Sequence, residues 1–163
     1  MYHLQQEEIS INDTCVLTDS HAHTKEDIIR QLSECLYQEG YVKESFEKAV
    51  MTREERFPTG LKIGRYNVAI PHTEPEYVNT SSIAIATLNQ RINFQRMDNY
   101  DEEVGVDIVL LLALNQGHTH MEALSSIINM CQKEDVIDTF MKTKDKREIV
   151  NIVKERLSGG SYE

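Results

Sequence analysis

Cysteine is scarce in this 163-residue sequence, and the three present are Cys15, Cys35 and Cys131. An odd number with no C-x-x-C pair argues against a disulfide framework and against a structural zinc site. His21, not Arg, stands six residues after Cys15, so no thiol-phosphatase loop begins there. Cys35 and Cys131 fall on apolar helical faces, where a free thiol behaves as a small buried hydrophobe. Long apolar runs are lacking too. The longest, Ile108 to Leu114, is far below the roughly 20 residues that span a bilayer. The opening MYHLQQEEIS has neither the basic nor the apolar segment of a signal peptide. A soluble, cytoplasmic protein is expected. Positive charge is in deficit, with 17 Lys and Arg against 27 Asp and Glu and a net charge of −10. That balance argues against nucleic acid or an anionic membrane as the main partner. The one basic cluster, Lys142, Lys144, Lys146 and Arg147, is interrupted by Asp145 and suits a solvated connection between helices.

What is present is ordinary globular composition, 40% hydrophobic and 27% charged, at a length that fits one core. The expected division is a single domain over 1–157 and a flexible tail over 158–163. Thr24-Lys-Glu-Asp27 has the form of an N-cap with an acidic first turn. Ile28, Ile29, Leu32, Cys35 and Leu36 then follow helical spacing up to Gly40. A second helix is carried by Val42, Phe46, Ala49 and Val50 and runs to about Glu55, before the turn sequence Phe57-Pro58-Thr59-Gly60. Strands follow at Val68–Ile70, Ser82–Leu88 and Ile92–Phe94. Val104–Leu114 is the expected central strand, apolar on both faces except for Asp107. Three apolar helical stripes close the chain: Met121, Leu124, Ile127, Ile128 and Cys131; Val136, Ile137, Phe140 and Met141; and Ile149, Ile152, Val153 and Leu157. Helices, then strands, then helices predict an α/β fold, a mixed central sheet flanked by helices on both faces.

Three residues stand out chemically. Pro71 forces Ile70 into extended geometry and cannot continue a central ladder. His72 therefore projects just beyond the carboxyl end of a strand, where open α/β sheets place ligands. With an ordinary pKa near ~6.5, its imidazole is largely neutral at cytosolic pH and a competent nucleophile; a histidine in a surface loop fits the same position. His120 lies four residues before Leu124 in the first turn of its helix, where the helix's positive end favours a neutral N–H donor. Such a group either hydrogen-bonds an anion or merely caps the helix. Arg53 follows Val50 by three residues and Ala49 by four, continuing the apolar face. It either forks onto an anion or carries its charge outward along an apolar stem. His21-Ala22-His23 and His118-Thr119-His120 lack metal-site spacing. No G-x-x-x-x-G-K-[ST], G-x-G-x-x-G or G-x-S-x-G motif occurs, so nucleotide phosphates have no cradle and there is no hydrolase elbow. A placed histidine without a nucleotide site would receive its phosphate from another protein.

Met51-Thr-Arg-Glu-Glu-Arg-Phe-Pro-Thr-Gly-Leu61, Val68-Ala-Ile-Pro-His-Thr73, Val109 to Ala113 and His120-Met-Glu-Ala-Leu124 occur in that order. This set resembles the IIA domain of the fructose/mannitol class of the bacterial phosphoenolpyruvate:sugar phosphotransferase system, over roughly Leu17 to Val153. The resemblance implies a mannitol IIA-like αβα sandwich. It implies that His72 takes phosphate from phospho-HPr and gives it to a cysteine on a IIB component, which works with a membrane IIC. His72 would be phosphorylated, with Arg53 and His120 holding the phosphoryl group, and no metal or cofactor would be needed. Thr73 stands where the fructose, mannitol and nitrogen-regulatory branches usually have Gly, and its hydroxyl would be a further phosphate contact. With Phe57-Pro-Thr-Gly-Leu61 and Phe94-Gln-Arg-Met97, it is more similar to the galactitol-type branch. Two other readings are a regulatory module controlled by His72 phosphorylation and a non-catalytic metal-binding protein.

Overall fold

The computed structural model describes residues 9–115 and 117–159; the side chains of residues 117–120 and 158–159 also lie outside the description. Five strands, β1 (Ser10–Ser20), β2 (Gly60–Leu61), β3 (Val68–Ala69), β4 (Ser82–Gln95) and β5 (Glu103–Ala113), form one sheet in the order β1-β4-β5-β3-β2. The β1/β4 and β3/β5 pairs are parallel; β4/β5 and β2/β3 are antiparallel. The sheet is thus mixed, and β5 is its central strand.

Helices cover both faces. The faces are set by alternation along β4 and β5. Ala84, Ala86, Val109, Leu111 and Ala113 pack with α1 (Lys25–Gln38) and α2 (Phe46–Arg56). Ile83, Ile85, Ile108, Leu110 and Leu112 face the opposite way. They pack with α3 (Gly117–Cys131), α4 (Glu134–Lys142) and α5 (Lys146–Gly159). The result is an α/β sandwich.

Local signals explain most boundaries. Thr24 caps α1 by accepting from the Asp27 N–H at 3.0 Å, and Gly40 leaves the helix at φ +80°, a backbone region that costs glycine little.

Several expectations need correction. Residues 10–20, to which the sequence pattern assigns no element, form an edge strand, although two register breaks against β4 interrupt their alternation. Val42 precedes α2 in an isolated bridge with Val78, and is buried there. The expected strands at 82–88 and 92–94 are one strand, β4, whose register against β5 shifts between Thr87 and Ile92. Its polar Asn89-Gln90-Arg91 is exposed, which gives the sequence of a turn to a continuous strand. Met121 is 73% exposed; the buried face of α3 is Ala123, Ile127, Met130 and Cys131. The helix α5 runs through Gly159, into the tail expected from 158 onward; residues 160–163 lie outside the description.

Candidate active site

The chain leaves the sheet at the carboxyl end of β3. Ile70 is fully buried, and the Pro71 carbonyl still accepts from the Leu112 N–H at 3.0 Å. One residue further, His72 stands partly buried at the sheet's end. Its Nδ1 lies 2.9 Å from the Ile70 carbonyl oxygen. A carbonyl only accepts, so Nδ1 carries a proton and donates this bond, which sets the orientation of the ring.

Two side chains that are adjacent on α2 reach the chain on either side of His72, Glu54 through Thr59 to Ile70 and Arg53 to Glu74. Glu54 is 3% exposed, and both its oxygens accept from Thr59 at 2.9 Å, one from the amide and one from the hydroxyl. Thr59 Oγ1 in turn accepts from the Ile70 N–H at 3.2 Å. Glu54 thereby fixes the residue whose carbonyl holds the imidazole. Burial pushes its carboxyl up to about 7, against the lowering effect of the two Thr59 bonds. On the other flank, Arg53 Nη1 contacts Glu74 Oε2 at 2.6 Å, and Thr73 Oγ1 donates to Glu74 Oε1 at 2.9 Å. The Arg53 guanidinium carbon also lies 5.0 Å from the Phe57 ring centre, a stacking arrangement that orients the fork. Arg53 Nε is buried without a hydrogen-bond partner among the described residues.

Arg53 is thus engaged by Glu74, which is also contacted by Thr73, one residue beyond His72 in the chain. His120 falls in the first turn of α3, but its side chain lies outside the described residues. Three members were not singled out from the sequence: Glu54, Thr59 and Glu74. Glu54 did leave a signal. It follows Phe46 and Val50 at successive four-residue steps, so it, more than Arg53, continues the fully buried stripe of α2. Thr59 and Glu74 lie in loops and left none.

Beside Arg53 and Glu74 is an open cavity of about 350 Å³ whose lining includes Lys48, Arg56, Phe57 and Tyr77. Three cations and one carboxylate converge there, on a chain of net charge −10.

The architecture is an α/β sandwich with an oriented histidine at a strand exit, followed in the chain by Thr73 and by Glu74, which an arginine of α2 contacts. The sequence model of the family described as "Phosphoenolpyruvate-dependent sugar phosphotransferase system, EIIA 2" matches residues 10–156. The chain belongs to this family and is a phosphoryl-transfer component of a sugar phosphotransferase system. The galactitol-specific EIIA component of Escherichia coli (strain K12) is 24% identical over 117 residues, 72% of this chain and 77% of that one. Multiphosphoryl transfer protein 1 of the same strain is 29% identical over 145 residues, 88% of this chain but 17% of that protein. Among solved structures, the fold matches the Escherichia coli mannitol IIA enzyme, in its complex with phosphorylated IIB, at a TM-score of 0.72 and 24% identity, over 93% of this chain and 99% of that one.

Proposed function

We propose that this protein is a cytoplasmic phosphoryl carrier in which His72 accepts phosphate from phospho-HPr and passes it to a cysteine of a IIB component. The IIB works with a membrane IIC that takes up a sugar or polyol, galactitol-like in class. The observation that carries the reading is the Nδ1–H bond to the Ile70 carbonyl, which orients the imidazole at the end of a buried strand and makes Nε2 the nitrogen that would take the phosphate. Attack by Nε2 forms a new N–P bond as the donor's P–N bond breaks, and the donor imidazole departs with the electron pair. In the second transfer the IIB cysteine thiolate attacks the phosphorus, an S–P bond forms, the Nε2–P bond breaks and the His72 imidazole takes back the electron pair. Such transfers need little from the protein beyond in-line positioning and charge stabilisation.

Arg53 and the Thr73 hydroxyl are the groups that would take up the phosphoryl oxygens, a guanidinium being suited to bidentate contact with them. The same role for the His120 N–H rests on the family resemblance alone. The galactitol-like substrate class rests on the Phe57-Pro-Thr-Gly-Leu61 and Pro71-His-Thr73 elements and on likeness to a galactitol-specific component. Incubation with enzyme I, HPr and labelled phosphoenolpyruvate is expected to give acid-labile label on the wild type and none on His72→Ala. Label that persists in His72→Ala would refute the assignment. Chase with IIB components of known polyol specificity then reads the substrate class.

A further inference from the structure

Glu74 touches both groups assigned above to the phosphoryl oxygens. One of its oxygens lies 2.6 Å from Arg53 Nη1 and the other accepts from Thr73 Oγ1 at 2.9 Å. A carboxylate and a phosphoryl group offer the same thing to these donors, namely anionic oxygens at hydrogen-bond distance. Glu74 is two residues from His72, so a phosphoryl group on His72 brings a second anion to donors already in use. The Glu74 side chain is 51% exposed while Thr73 is 2% exposed. The carboxylate is therefore the partner that can leave for water, and exposed ion pairs are weakly held.

We propose that Glu74 is an internal stand-in for the phosphoryl group, holding Arg53 and Thr73 while His72 is unphosphorylated and yielding them when phosphate arrives. It acts through Arg53 and is a positioning residue; it makes and breaks no bond. By occupying Arg53 in the empty site, it lowers the affinity of His72 for phosphate and favours passing it on. The Thr73 hydrogen bond, with the Glu74 backbone N–H and then Arg53, holds the Glu74 carboxyl below its ordinary range. The group is thus ionised at neutral pH. The inference rests on His72 being the phosphorylated residue.

The test is the partition of phosphate between this protein and HPr at equilibrium, at pH 7.5, with phosphohistidine measured by 31P NMR. Glu74→Gln is expected to shift the partition toward this protein by roughly five- to tenfold, the effect of one nearby charge at a partly exposed site. Glu74→Asp, which keeps the charge, is expected to stay within about twofold of wild type. In an Arg53→Gln background the Glu74→Gln effect is expected to shrink to less than about twofold, because competition needs the arginine. An unchanged partition, a shift away from this protein, or an undiminished effect without Arg53 would overturn the proposal. Potassium phosphoramidate separates the two readings: its P–N bond breaks, an Nε2–P bond forms and ammonia leaves. A wild type that takes no phosphate from it or from HPr overturns the His72 assignment; normal loading with no Glu74 effect overturns only the stand-in.

Discussion

Glu54 is a buried acid facing Thr59, while the neighbouring Arg53 reaches the rim. The folded carboxyl keeps its proton up to about pH 7, whereas the unfolded one releases it near 4.5. Between these values the folded state binds more protons than the unfolded one, so this group's contribution to stability falls as pH rises through the window. Glu54→Gln cannot titrate. Its stability relative to wild type is expected to improve by about 3 kcal/mol between pH 4 and pH 8. Urea unfolding across that range checks this, and a gap between the two proteins that does not change with pH would contradict it. Removing the carboxylate also loosens Thr59, and with it the Ile70 N–H that stands behind the imidazole.

At the scale of elements, His72 depends on where β3 is laid down. That strand has two residues and little pairing of its own, so the turn before it must be fixed by side chains. Asn67 does this. Its Oδ1 accepts from the Ile63 and Gly64 amides, and its own amide donates to Asp107 Oδ2 at 2.9 Å. Asp107, 6% exposed on β5, also meets Arg91 Nε at 3.0 Å. The one buried charge of the central strand therefore pins the loop that feeds the site. Asp107→Ala would strand the buried Asn67 N–H. The expected loss is about 1–3 kcal/mol of stability, measured by denaturant unfolding. A change within about 0.5 kcal/mol would show that the loop holds without it.

Over the whole molecule, two apolar layers share one sheet, and the thiols report on both. Cys15 belongs to the α1/α2 layer and Cys131 to the α3–α5 layer, at 0% and 1% exposure. Burial pushes both thiols up to about 12. Their thiolate fraction at pH 8 is negligible, so their modification must wait for opening of the fold. Cys35, partly buried, is also shifted upward by burial. Ellman's reagent at pH 8 is expected to react promptly with at most Cys35 in the native protein and with all three thiols after denaturation. Prompt reaction of Cys15 or Cys131 would mean that the layer containing it opens readily.

The sequence by itself determined the elements whose signals are local. The cap at Thr24, the glycine stop at position 40, the two-faced run of β5 and the break at Pro71 all act within a few residues, and each is visible without knowing the fold. Pro71 sufficed to place His72 beyond a strand, whereas helical spacing put Arg53 on the apolar face of α2, where the fold buries Glu54 instead. Tertiary structure decided what depends on partners distant in the chain. Residues 10–20 are a strand because β4 offers them an edge, and Asn89 to Arg91 stay in β4 because β5 continues beside them. Val42 is buried by Val78, while Met121 is exposed because the buried face of α3 is centred on Ala123 and Ile127. The clearest case is the bracing of His72. A sequence shows that Glu54 interrupts an apolar stripe, but burial costs a carboxyl group less when hydrogen bonds compensate it. Only the fold brings Thr59 and Ile70 to Glu54, and Glu74 to Arg53.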